Sequence, residues 1–490
     1  MARCYLGIDI GTTGIKAVLF DAEGRPLGSG LAEYTLETPS PDIVELDPER
    51  YWEATGAAVR EAVAAANVPL EDIVSAGVTG QAETLIVLDA NGKPLRKAIV
   101  WLDNRAVEEA AAFNAHFGAE ALFRLSGQTE MLPCWPAAKI LWLRTHEPEV
   151  FAKAAHYLMV EDYIISRLCG EYVTCRGLMP SSLYYDIRTG AYDAEILNLL
   201  QINELQLPYL KNAGEAAGVC REGNGLLPTG CVLTCGPIDH VCGNLGSGCT
   251  EEGLVSETTG CSLALCAAFP HPVYDEERRI STYLGFAPNT YVLLPWAPTA
   301  GMLLKHFRDE FAGGLDYDAL GRLAADVPPG SEGLLLLPHC AGAVSPVCNP
   351  AARGVAYGVT LAHKRGHWAR AIMESVAYLL RDNVEVLRAM DCPIDEVRAL
   401  GGAARSPLWL QIMADVLDTP VTVTACEEAT ALGAAILGRL AAGEIATAAE
   451  GARAMVRLKG TVRPGPNAVA YAREYRRYCQ LNNLLLPTFK

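Results

Sequence analysis

The chain is built from short apolar, β-prone runs broken by glycine-rich turns and spaced by longer stretches with helical periodicity. "YLGIDIGTTGIKAVLF" (5–20) reads as two buried strands joined through a polar knot of Asp9, Gly11, Thr12, Thr13 and Gly14. Glycines there supply the backbone freedom of a tight turn. The alanine-rich stretch 51–68 predicts a helix, 73–81 a strand ending in a polar turn, and 84–95 a strand followed by an Asn91-Gly92 turn. From about 104 to 220 the pattern turns mostly helical and loop-like, as an insertion over a sheet edge would. Residues 230–248 run from an apolar strand through Pro237-Ile238-Asp239-His240 into a small-residue helix, and 253–266 is a second strand pair. Further on, 364–390 is a helix with Ile372, Val376, Leu379 and Leu380 at helical spacing. Residues 396–423 read strand, Gly-Gly turn, helix, strand, and 427–443 is a helix of small residues suited to close packing.

The second strand pair echoes the first. Aligning Thr12-Thr13-Gly14 with Thr258-Thr259-Gly260 puts apolar runs on both sides of each turn. This predicts a layered α/β protein of two related halves, 1–245 and 246–490, whose hairpin turns face one cleft.

Length and charge narrow the class. A chain of 490 residues exceeds one hydrophobic core. A formal charge of −17 argues against nucleic acid or an anionic membrane as main partner, while leaving room for an anionic small ligand. Residues 1–20 contain Asp9 and lack a secretory pattern, and no run approaches the roughly 18 apolar residues of a membrane helix. A cytoplasmic protein with reduced thiols is expected. Cys231, Cys235, Cys242 and Cys249 cluster near His240 but form no paired C-x-x-C knuckles, so buried thiols rather than zinc ligands are expected.

The opening turn carries the first chemical signal. Asp9 interrupts an apolar strand, where an unpartnered charge is costly. A hairpin explains Gly11 and Gly14 but not Asp9. A turn that offers N–H groups and threonine hydroxyls to phosphate oxygens, with Asp9 beside a magnesium ion, explains all of them.

Nine segments in order resemble the FGGY family of carbohydrate kinases: "DIGTTGIKA", "GVTGQAETLIVLD", "VWLDNR", "PAAKILWL", "GPIDHVCGNLGSG", "SETTGCS", "ARGVAYGVT" with "HWARAIMESVAY", "GGAARSPLWLQIMADVLDTPV" and "EATALGAA". The resemblance implies an actin-like (ribonuclease H-like) duplicated two-domain fold with ATP in the cleft, and transfer of its γ-phosphate to a hydroxyl of a sugar, polyol or sugar acid. It implies ATP and Mg2+ as cofactors, and a homodimer is the assembly it suggests. Asp239 falls where the family has its general base, a role that the poor nucleophilicity of a sugar hydroxyl requires; a helix N-cap is the structural alternative. Asp9, with Asp239, falls on the magnesium side. Gly11, Thr12, Thr13 and Lys16 fall on the first phosphate turn, Thr259 and Gly260 on the second. Gly401, Gly402 and Ala403 resemble the adenine-side loop, and Ala300-Gly301 borders the nucleotide; Trp296, just before them, reads as a core aromatic. Gln81, Glu83, Trp101, Asp103 and His240 fall in substrate-facing segments, where an indole face suits an apolar polyol side and carboxylates and amides suit hydroxyls. Asp103 with Arg105 reads equally as a local ion pair.

Departures from the family pattern bear on the substrate. Glycerol kinases have an Arg-Glu pair where this chain has Ala82-Glu83, and their substrate tyrosine falls at Cys134, which disfavours glycerol. The Met-His pair of xylulose kinases near 81–84 is also missing. Cys261 replaces a threonine of the second turn and removes a hydroxyl. A five-carbon ketose or pentitol phosphorylated at a terminal hydroxyl is the expectation. An actin-like or chaperone-like ATPase without a sugar substrate, and a catalytically silent sugar sensor, are the alternatives.

Overall fold

The computed structural model describes residues 3–490. The N-terminal sheet is made from β1 (Cys4–Ile10), β2 (Gly14–Phe20), β3 (Pro26–Glu33), β4 (Ile73–Gly80), β5 (Ala216–Val219) and β6 (Val232–Cys235), in the order β5-β6-β4-β1-β2-β3. β6, β4 and β1 run parallel, whereas β2 and β3 fold back as an antiparallel meander and β5 closes the other edge antiparallel.

The same order and polarity recur in the C-terminal sheet. It contains β7 (Gly253–Thr259), β8 (Leu263–Phe269), β9 (Ser281–Leu284), β10 (Tyr291–Leu294), β13 (Ile394–Leu400), β14 (Val421–Thr424) and β15 (Leu458–Val462). β14, β13 and β7 are parallel, β8 and β10 antiparallel, and β15 closes the edge. The shared polarity of the six strands makes the duplication a property of the fold, which is the actin-like two-domain architecture. β11 (Leu335–Leu337) and β12 (Val355–Tyr357) form a separate two-stranded ladder.

The helices α1 (Pro48–Ala66), α2 (Pro136–His146), α3 (Asp239–Gly246), α4 (Gly301–Phe311), α5 (Tyr317–Ala325), α6 (Arg365–Ala389), α7 (Pro407–Leu417) and α8 (Ala429–Ala441) follow the sequence expectations where those were made. α8 lies late in the chain, yet Ala431, Leu432, Ala435, Ile436 and Leu437 belong to the core of the first half. Its small residues allow this. A Cβ on Gly7 or Gly77 would stand 1.8 Å from the Ala431 or Ala434 carbonyl oxygen, and one on Gly246 1.8 Å from that of Ala429. No larger side chain fits at these crossings.

Two expectations change. The strand read at 84–95 is short (Leu85–Leu88) and belongs to a separate five-stranded sheet rather than the main one. The T-T-G echo is out of register. Thr12 and Thr13 lie in the first turn and Gly14 opens β2, whereas Thr258 and Thr259 end β7 and Gly260 opens the second turn. The equivalent residues are Gly11 and Gly260, whose N–H groups close the turns onto the carbonyls of Gly14 (3.0 Å) and Ser262 (3.0 Å). The repeat is one of hairpins, not of letters.

Among the described residues, no helix is long and apolar enough to cross a membrane. Cys231, Cys235, Cys242 and Cys249 are buried, and no group of three or more His, Cys, Asp or Glu side chains is arranged to hold a metal ion.

Candidate active site

The site is built where the polar ends of β1, β4 and β6 meet the start of α3. After β6, the Gly236 N–H donates to the Val78 carbonyl (2.7 Å) and the Thr79 hydroxyl donates to that of Pro237 (2.7 Å). Two adjacent residues at the C-terminal end of β4 thereby suspend the Pro237-Ile238 turn, and α3 begins at Asp239. The Asp239 carboxylate stands at the positive end of this helix, accepting the His240 N–H at 2.7 Å. His240 itself is partly exposed.

Two other carboxylates feel Asp239. Asp9 is pushed up to about 7, first by desolvation and then by the negative charge of Asp239, with Lys16 opposing and Glu428 adding to the shift. Glu83 is pushed up to about 7 by burial and Asp239, against the Ser181 hydroxyl and Lys139. Asp239 therefore lies within electrostatic reach of both the first hairpin turn and the segment that carries Glu83.

Several residues named from the sequence hold this arrangement together. The Gln81 amide donates to the Gly11 carbonyl (3.1 Å) and accepts from the Thr84 hydroxyl (3.0 Å); the Tyr34 hydroxyl also donates to Gly11 O. Gln81, which the sequence reading places on the substrate side, thus braces the first turn. The Trp101 indole N–H donates to Thr12 Oγ1 (3.0 Å), tying the "VWLDNR" segment to the same turn. Asp103 is fully buried, and its oxygens accept from the Val44 N–H (2.7 Å) and from Arg105 Nε (2.8 Å) and Nη2 (2.7 Å). The ion-pair alternative describes Asp103, because these bonds occupy both carboxylate oxygens. Lys16 reaches across to the other half of the chain, with Nζ 2.5 Å from Glu428 Oε2.

The second turn is held from two directions. A Cβ on Gly301, at the start of α4, would lie 2.4 Å from the Gly260 carbonyl oxygen, and Ala300 N donates to Cys261 O at 2.9 Å. Gly401 adopts a φ of 77°, and a Cβ there would stand 2.8 Å from Thr259 O. Gly402 and Ala403 follow in a 3-10 turn before α7, with Ala403 buried and Gly402 open. The Thr259 hydroxyl donates to Glu257 (2.7 Å), a carboxyl pushed up to about 8 by burial. Trp296 is partly buried on a two-residue strand pairing β8.

Sequence reasoning missed four participants. Lys139 is fully buried, lowered to about 8 by desolvation, and donates to the carbonyls of Glu83 (2.7 Å), Val100 (3.0 Å) and Ile99 (3.3 Å), pinning both substrate-side segments. A lone lysine inside the apolar "PAAKILWL" was the available signal. Glu428 had one too, as the acid before a small-residue helix. Tyr283 on β9 lies beside Glu83, Cys134 and Asp239, and Ser181 beside Glu83; neither sits in a motif.

Paired hairpin turns from a duplicated fold, with a helix-borne carboxylate within electrostatic reach of the first of them, have the form of a phosphotransferase of the actin-like class. Residues 4–246 match the FGGY family of carbohydrate kinases, N-terminal domain, and residues 257–442 its C-terminal domain. The chain belongs to this family and is a carbohydrate kinase. It is 32% identical over 462 residues to the gluconokinase of Bacillus subtilis (strain 168), covering 91% of this chain and 89% of that protein. It is 28% identical over 445 residues to the xylulose kinase of Escherichia coli (strain K12), covering 89% and 90%. The crystal structure of xylulose kinase from Rhodospirillum rubrum superposes with a TM-score of 0.89 at 29% identity, over 99% of this chain and 100% of that one. Kinases of this family use ATP as phosphate donor, generally with Mg2+.

Proposed function

We propose that this kinase transfers the γ-phosphate of ATP to a terminal hydroxyl of a neutral five-carbon ketose or pentitol, with Asp239 as general base. The observation that carries this reading is the position of Asp239, at a helix start and within electrostatic reach of both Asp9 and Glu83. A hydroxyl seated between Glu83 and Asp239 loses its proton to Asp239 as it attacks. The acidity of this corner favours an uncharged acceptor, since an aldonate would add a third negative group. The likeness to a gluconokinase supports the second reading, an aldonate.

Thr12, Thr13, Thr259 and Gly260 would face the phosphates, with Gly301, Gly402 and Ala403 on the nucleotide side. Asp9 fits a hard cation that keeps most of its waters: it is an oxygen donor in the cleft floor whose negative form lacks sufficient compensation. Magnesium held beside Asp9 and Asp239 would supply charge neutralisation on the transferred group. The halves 1–245 and 246–490 would close over the substrate about the segment 245–255, excluding water as a competing acceptor. A homodimer is the proposed assembly.

The test is ADP release with Mg-ATP across D-xylulose, D-ribulose, xylitol, ribitol, glycerol and D-gluconate, with Asp239→Asn alongside. One neutral pentose or pentitol should respond strongly and fail with the variant. A response to gluconate alone would select the second reading. ADP release indifferent to all acceptors and to the variant would leave an ATPase with the same fold.

A further inference from the structure

The C-terminal half contains a cavity of about 1000 Å³ that belongs to neither turn nor substrate segment. Its walls are apolar: Leu303 and Phe307 of α4, Leu336 and Leu337 of β11, and Trp368 and Ile372 of α6. Phe311 and Leu323, at its mouth, are 63% and 40% exposed. Such a volume with apolar walls and few polar groups has the form of a small-molecule site.

The charged groups of the lining, Lys364 and Arg365, share one sign. His306, His363, Lys364 and Arg365 border the cavity, and no Asp or Glu does. His363 is engaged, accepting the Thr360 N–H at Nδ1 (3.0 Å). Lys364 and Arg365 make no ion pair among the described residues, although the protein carries a net −17 and most of its arginines are paired. A basic rim left unpaired above an apolar hole in an acidic protein is complementary to a ligand with an anionic head and an apolar body. A carboxylate suits it best, because a guanidinium fork can take both oxygens.

We propose that this cavity binds a small amphipathic carboxylate, its apolar body between α4, β11 and α6 and its head at Lys364 and Arg365. Leu303, Phe307 and Phe311 share a face of α4. The N-terminus of that helix is seated on the second turn through Ala300 and Gly301. Filling the cavity therefore bears on the helix that holds the turn, and occupancy is felt as a changed KM for ATP. The binding stands on the cavity alone; only this coupling rests on the nucleotide reading of the second turn.

The experiment is calorimetric titration of the full chain with octanoate, with 1-octanol as the uncharged control. It is repeated on Ala356→Trp, which fills the cavity from the exposed strand β12, and on the double variant Lys364→Glu/Arg365→Glu, with circular dichroism to verify folding. One octanoate per chain is expected, with octanol and both variants at least about tenfold weaker, or 1.4 kcal/mol, and with a KM for ATP that shifts at least about twofold on saturation in the wild type only. No octanoate binding, equal binding of octanol, or binding unchanged in the folded variants would overturn the site. So would a dimer that Ala356→Trp dissociates while octanoate leaves it intact, since a second copy would then occupy the cavity. Binding with an unchanged KM would overturn the coupling and leave the site standing.

Discussion

At the scale of single residues, the site is a problem of placing negative charge. Asp9, Glu83 and Asp239 converge, and among the described residues Lys16 and Lys139 are the cations that oppose Asp9 and Glu83, each already committed to Glu428 or to backbone carbonyls. Asp239→Asn should lower kcat by about 10²–10⁴-fold, the usual weight of a general base, with the KM for ATP changed less than about threefold; steady-state kinetics would check this split. Asp9 makes a prediction of opposite sign for stability. Its folded value near 7 lies above that of an unfolded aspartate, so the folded state holds this proton more tightly. The stabilisation is complete below about pH 4 and is lost as pH rises toward 7. Asp9→Asn should then be more stable than wild type by about 1–3 kcal/mol at pH 8, a difference that shrinks toward pH 5, while phosphorylation collapses. Denaturant melts at the two pH values measure it. Asp9 stood out in the sequence because a charge breaks an apolar strand, whereas Asp239 and Glu83 were named through the family resemblance. The bond from Gln81 to the Gly11 carbonyl was not legible, since a polar side chain next to a turn looks the same whether it faces ligand or carbonyl; for Asp103 the sequence left a substrate contact and an ion pair with Arg105 equally open, and the structure shows the ion pair. Tyr283 gave no signal at all, because only tertiary folding brings β9 to Glu83.

At the scale of elements, the hairpins and the long helices follow from pattern alone. Apolar runs around glycine specify β1-β2 and β7-β8, and helical spacing specifies α6. What pattern could not supply is the partner of each element. The small residues of α8 announce close packing, but not that the sheet and helix it meets come from the first half. The crossing of α3 and α8 is where this matters for function, because α3 carries Asp239 at its start. Gly246→Ala would drive a methyl to within 1.8 Å of the Ala429 carbonyl oxygen, with backbone on both sides. This should cost about 3 kcal/mol or more, beyond the usual range of overpacking because the clash is with backbone rather than a mobile side chain. An exposed glycine with open space around it, such as Gly443, is also at positive φ, so the better control is Gly321→Ala on the open face of α5, which should be neutral or slightly stabilising. Thermal melts of the two variants separate the packing explanation from a general intolerance of added methyls.

At the scale of the whole molecule, the two halves are joined in ways with different consequences for motion. α8 is packed into the core of the first half, and Asn244 of α3 donates to Ser256 (3.0 Å) and to the Cys266 carbonyl (3.0 Å), so the base of the cleft is fixed. Near the first turn, the Lys16–Glu428 pair also spans the halves, but both side chains are about one-third exposed (34% and 31%). An exposed pair of this kind contributes little and is easily exchanged. Closure should therefore pivot at the base and trade Lys16 from Glu428 to the incoming phosphates. Small-angle scattering with acceptor and a non-hydrolysable ATP analogue together should shrink the radius of gyration by on the order of 1 Å, with either ligand alone giving less. Glu428→Gln frees Lys16 in the open form and removes a like charge from beside Asp9. It should lower the KM for ATP while leaving the scattering profile of the unliganded protein unchanged. A profile indifferent to both ligands would mean that the cleft is preformed, and water would then have to be excluded by the substrate itself.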